Sequence, residues 1–142
     1  MTNPQTITQL IEDLQAAEVG TRELDARICA LLRIGKKPLP SWLSNWEGKM
    51  TATKSRCFAM HIDGRRGANW EPSLVTTSID AAVTTIPEGW EWEMRFEDGG
   101  PLYDGPVCYL ELGEHIKEEH KSIPLAICIA SLYAILKELE TT

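Results

Sequence analysis

The segment "PLAICIASLYAIL", Pro124 to Leu136, limits the possible folds more than any other in the chain. Ser122 offers a side-chain oxygen to cap a helix, and Pro124 falls in the first turn, where its missing N–H costs nothing. The spacing predicts a long helix reaching about Glu138. As far as Tyr133 it is apolar nearly all round, so it must be covered on more than one side. It is too short to be a membrane span, which needs about 20 residues. A chain of 142 residues is the size of one domain, 1–142, with a single core that must wrap this helix.

The elements that can wrap it are read from periodicity. Thr6 and Gln9 have capping-box spacing, and Ile7, Leu10, Ile11 and Leu14 follow at helical intervals. Gly20 marks the end of that helix. Thr21 is a good N-cap for a second, whose stripe of Leu24, Ile28, Leu31 and Leu32 runs to Gly35. "KKPLPSWLSNWEGK" is broken by two prolines and reads as an ordered loop with Trp42 or Trp46 packed down. From Lys54 to Ile62, Phe58, Met60 and Ile62 alternate with Cys57, Ala59 and His61, as in a buried strand. "DGRRG" reads as a turn, followed by a short strand around Ala68 to Trp70.

Ser78 caps a short helix over Ile79 to Thr85, which Pro87 and Gly89 end. Trp90, Trp92, Met94 and Phe96 then share one strand face, with Glu91, Glu93 and Arg95 on the other. A partner strand runs from Val107 to Leu112. The order predicts an α+β fold: a mainly antiparallel sheet of 3–4 strands flanked by helices.

Some of these residues carry a resemblance. "SLVTTSIDAAVTTIPEGWEWEM" and, some thirty residues later, "SIPLAICIASLYAIL" resemble the phage ABA-sandwich domain family, small proteins encoded by phages and prophages. Ser78, Asp80, Ala81, Ala82, Pro87, Gly89 and Trp90 match its first motif. Pro124, Leu125, Ala126, Cys128 and Ala130 match its second. Arg22, Glu23, Leu24, Asp25 and Ile28 look like its N-terminal helix. The resemblance covers about half the chain and implies an α/β/α sandwich. It brings no activity, since the matching positions are caps, turns and packing residues.

Composition excludes several functions. A net charge of -7 argues against a general nucleic-acid binder, because phosphate backbones select basic proteins. The N-terminal "MTNPQTITQL" lacks the basic flank and apolar run of a secretory leader, which predicts a cytosolic protein. Cys29, Cys57, Cys108 and Cys128 are scattered among apolar neighbours and read as four buried reduced thiols. "EHIKEEH" suggests metal binding, but His115 and His120 stand five apart, whereas a helical pair needs three or four. It reads as a solvated acidic turn, with no metal or cofactor implied. Glu91 and Glu93 read as an exposed sheet surface rather than an acid–base pair. His61 reads as a core histidine rather than a general base. No nucleophile elbow, P-loop or dinucleotide fingerprint occurs. An enzyme ranks last among the readings.

Charge distribution is more informative. Between Lys49 and Arg66 lie five basic residues and one acidic residue; between Glu88 and Glu119 lie ten acidic residues and two basic ones. The basic segment is bordered by Trp46 and Trp70. Guanidinium forks suit phosphate, and flat rings suit a base. The candidate ligand-binding set is Arg56, Arg65, Arg66, Lys54, His61, Trp46 and Trp70. The alternatives are a solvated loop or a patch docking on an acidic surface of a second subunit. Together these features predict a phage-encoded, non-enzymatic binding protein in the host cytosol. It would sequester a small nucleotide immune signal or, alternatively, bind a host or virion protein. Five tryptophans and the two-faced helix also predict a homo-oligomer.

Overall fold

The computed structural model describes residues 4–34, 49–54, 57–62, 65–98 and 104–140. In chain order the elements are α1 (Pro4–Ala16), α2 (Arg22–Leu32), β1 (Lys49–Lys54), β2 (Cys57–Ile62) and β3 (Arg65–Trp70). Then come α3 (Ile79–Val83), β4 (Glu91–Asp98), β5 (Asp104–Leu112), β6 (Glu114–Glu119) and α4 (Ile123–Glu140). The strands form two antiparallel sheets, β1-β2-β3 and β4-β5-β6, and the protein is an α+β fold.

Helix α4 is the centre. Every residue from Leu125 to Leu132 is buried. Strands β5 and β6 cover it from one direction, while α1 and α3 pack against it as well. Helix α4 is thus covered by β5, β6, α1 and α3 together. Full burial of one Leu or Ile side chain contributes about 1.5–3 kcal/mol, and Leu125, Ile127, Ile129 and Leu132 are all fully buried. Ser122 caps the helix, its hydroxyl accepting from the Leu125 N–H at 3.4 Å. Two polar links cross the apolar centre. The Thr85 hydroxyl reaches Ser131 Oγ at 2.9 Å, and the Cys128 thiol lies 3.2 Å from the Val75 carbonyl. At the far end, the Trp90 indole N–H donates to Glu138 at 2.9 Å and ties the Pro87–Trp90 turn to α4.

Helix α1 buries Ile7, Leu10, Ile11 and Leu14, as their spacing predicts. Its start differs from the capping-box expectation. The helix begins at Pro4, so Thr6 lies inside it and Gln9 bonds Asp13 at 3.1 Å instead. Proline's fixed φ favours the first helical position and sets the boundary earlier. Thr21 caps α2 as expected, accepting from the Leu24 N–H at 3.1 Å. That helix ends at Leu32, short of Gly35. Arg33 takes the left-handed conformation (φ 57°), and the Ile34 N–H closes the end on the Cys29 carbonyl at 2.9 Å.

Gly20 has a role its sequence position concealed. It lies beyond the end of α1, and a Cβ there would sit 2.1 Å from the Thr76 carbonyl oxygen. Two backbone segments meet there, and only glycine permits the approach.

The largest correction concerns "EHIKEEH". Glu114 to Glu119 is not an acidic turn but strand β6, entered through Gly113 at φ 69°. Only Ile116 of the strand is buried. With one apolar contact, the edge strand shows no alternation that a sequence pattern could detect. His120 follows it as a structural link. Its Nδ1 accepts from the Ser122 N–H at 2.9 Å, so Nε2 carries the proton and donates to the Ala17 carbonyl at 2.8 Å.

Glu118 faces the helices, and burial pushes its carboxyl above the usual carboxylate range, with neighbouring Glu119 adding and the Gln15 amide opposing. A raised folded-state value means that stability is lost as pH rises through it. Glu118→Gln is therefore expected to match the wild type near pH 4 and to exceed it in urea midpoint at pH 7. An equal or lower midpoint at pH 7 would contradict this.

Candidate functional site

Two sheet faces carry the charged residues that could recognise something. The first is on β1-β2-β3. Lys49 pairs with His61, and His61 pairs with Arg66, so these three fall in one row across the sheet. Opposed residues share a face. Lys54 pairs with Cys57, which stands two and four residues from Ala59 and His61, and this puts Lys54 on the same face.

Two bulges produce that grouping. On β1, Thr53 is the extra residue between the Ala52–Phe58 and Lys54–Cys57 pairs. On β3, Gly67 and Ala68 together oppose Met60. Without the first bulge, Lys49 and Lys54, five residues apart, would lie on opposite faces.

Of the seven candidate residues, the structure brings Lys54, His61 and Arg66 to one face and joins Lys49 to them. Arg65 pairs with Ile62 and belongs to the other face. The two adjacent arginines lie in a strand, not the expected turn, and are separated by its alternation. Trp70 pairs with Phe58 on that other face and is 6% exposed, part of the core. Its indole N–H is buried without a hydrogen-bond partner among the described residues. Arg56 and Trp46, with the expected Trp42 loop, lie outside the described residues.

The second face is on β4-β5-β6, turned away from α4. Register sets three rows: Glu91–Glu111–His115, Glu93–Tyr109–Lys117 and Arg95–Val107–Glu119. Tyr109 occupies the middle. The Arg95 guanidinium lies 4.8 Å from its ring centre and the Lys117 ammonium 6.0 Å away. Arg95 also grips Glu93 with two contacts of 3.1 Å, and that hydrogen bonding lowers the Glu93 carboxyl from its usual value. A shallow cleft of about 340 Å³ opens among Glu91, Glu93, Arg95, Tyr109, Glu111 and His115. Glu91 and Glu93 are exposed, as the sequence suggests. What sequence alone could not supply is their alignment with Glu111 and His115, which comes from strand register.

Burial pushes the Cys29 and Cys108 thiols up to about 12 and raises Cys128 further. All three are free and buried, and as thiols they are poor nucleophiles at neutral pH. Among the described residues, no group of three or more His, Cys, Asp or Glu is placed to hold a metal ion. None of the described helices is long and apolar enough to cross a membrane. Comparison of the chain with protein families, with curated proteins and with solved structures finds no match.

Proposed function

We propose that the protein is a non-enzymatic binding protein that captures a small anionic ligand of nucleotide type on the cationic face of β1-β2-β3. The observation that carries this is the row Lys49–His61–Arg66, joined by Lys54 on the same face. Arg66 supplies a planar fork for phosphate and the lysines supply compact charges. Trp70 is committed to the core, so phosphate recognition dominates over base stacking at this face. The resemblance of the Ser78–Trp90 and Pro124–Ala130 segments to phage ABA-sandwich proteins supports a setting in the infected cell. There, capture of a nucleotide immune signal would act as anti-defence. This setting is an analogy of family and build.

A second reading, a module that binds a basic protein surface, is favoured by the Glu91–Glu111 row and the cleft beside it on β4-β5-β6. Thermal melting separates the two. A ligand that binds only the folded state adds about 2.7 kcal/mol at a hundredfold excess over Kd. A panel of cyclic ADP-ribose isomers and cyclic di- and trinucleotides is expected to contain one compound that raises the Tm. A Tm unmoved by the whole panel contradicts the nucleotide reading and leaves the protein-binding one standing.

A further inference from the structure

Strand β4 lies at the edge of its sheet and, among the described residues, pairs with β5 alone. It is eight residues long, and an edge of that length normally needs protection. Its apolar face has little. Helix α4 lies over β5 and β6, while Trp92 is 45% exposed and Phe96 76% exposed, flanking half-buried Met94. Three large apolar side chains therefore line one face of an edge strand beyond the helix that covers its neighbours.

The sequence of this strand is complementary to its own reverse. In Trp92-Glu93-Met94-Arg95-Phe96, residues equidistant from Met94 are a carboxylate and a guanidinium, then two aromatics. When two copies of a strand pair antiparallel about a two-fold axis, opposed residues must share a sheet face, so the axis must pass through a residue. An axis at Glu93 sets that carboxylate against itself, and one at Arg95 does the same with guanidinium. An axis at Met94 does neither. It sets each Glu93 against an Arg95 and each Trp92 against a Phe96, leaving Glu91 opposite Glu97 as the one like-charge pair, at the ends.

We propose that β4 is the self-association edge of this protein, pairing antiparallel with β4 of a second copy about a two-fold axis through Met94. The union makes one continuous sheet, closes the free edges of both strands and covers both exposed aromatics. It is independent of the ligand reading above.

Sedimentation and light scattering of the full chain test it. The wild type is expected at twice the 15.9 kDa chain mass. Glu93→Arg or Arg95→Glu sets two like-charge pairs across the axis and is expected to weaken the dimer about 10- to 100-fold. Mixing these two variants restores opposite charges at both pairs, so a heterodimer is expected to form where neither variant dimerises alone. A role confined within one chain would give no such rescue. Phe96→Ser, at an exposed position, is expected to yield a folded monomer. A monomeric wild type, single variants that stay dimeric, or a mixture without heterodimer would each overturn the proposal.

Discussion

Asp25→Ala is expected to cost about 3–5 kcal/mol of folding stability, a large share of the roughly 5–15 kcal/mol that holds an ordinary domain. Asp25 is fully buried at the start of α2. One carboxylate oxygen accepts from the Thr76 N–H at 2.7 Å and the Thr76 hydroxyl at 2.6 Å. The other meets Arg22 Nη1 at 2.6 Å, and Arg22 Nη2 continues to the Pro72 carbonyl at 2.6 Å. One acidic group thereby ties the helix to the segment that leads into α3. Alanine would remove the buried carboxylate that Arg22 grips, and would leave a buried N–H without an acceptor. Asp25→Asn keeps an oxygen for Thr76 but turns its amide NH2 toward Arg22, so it loses the Arg22 bond and keeps the two Thr76 bonds, and its loss is expected to be smaller. Urea denaturation of both variants measures this. Equal losses would show that the Arg22 pairing, not the Thr76 bonds, carries the joint.

Gly20→Ala is expected to cost about 3 kcal/mol by overpacking the same joint. The new methyl would lie 2.1 Å from the Thr76 carbonyl oxygen and 2.6 Å from its hydroxyl. The nearest atom belongs to backbone, so a side-chain rotation cannot relieve the contact. Relief means moving residue 76 away from Thr21 and Asp25, which stretches the bonds that Asp25 makes. The two substitutions therefore act on one set of contacts. Their double mutant is expected to lose less than the sum of the singles. A Gly20→Ala variant with an unchanged urea midpoint would contradict the close approach.

Local chemistry was legible in the sequence, and long-range placement was not. Thr21, Ser78 and Ser122 each accept from an N–H three residues ahead, so their caps are contained in a few consecutive letters. The alternation of β4 and the all-round apolarity of α4 read equally well. Strand β6 escaped because Ile116 is its one buried residue. The Asp25–Thr76 joint escaped because its partners stand 51 residues apart. At the candidate site, sequence singled out the basic segment but not its faces. Counting by twos puts Lys49 and Lys54 on opposite sides, and only the bulge at Thr53 reverses that. It also left Arg65 and Arg66 as an adjacent pair, which the strand divides.

That division provides the most direct measurement of the account. Calorimetric titration of the wild type, Arg65→Ala and Arg66→Ala with whichever cyclic nucleotide raises the Tm most is expected to separate the two arginines. Losing a charged hydrogen bond to phosphate weakens binding about 10- to 100-fold, and that loss is expected for Arg66→Ala while Arg65→Ala stays within about twofold of wild type. Equal loss from both variants, or a loss confined to Arg65→Ala, would contradict binding on the Lys49–His61–Arg66 face.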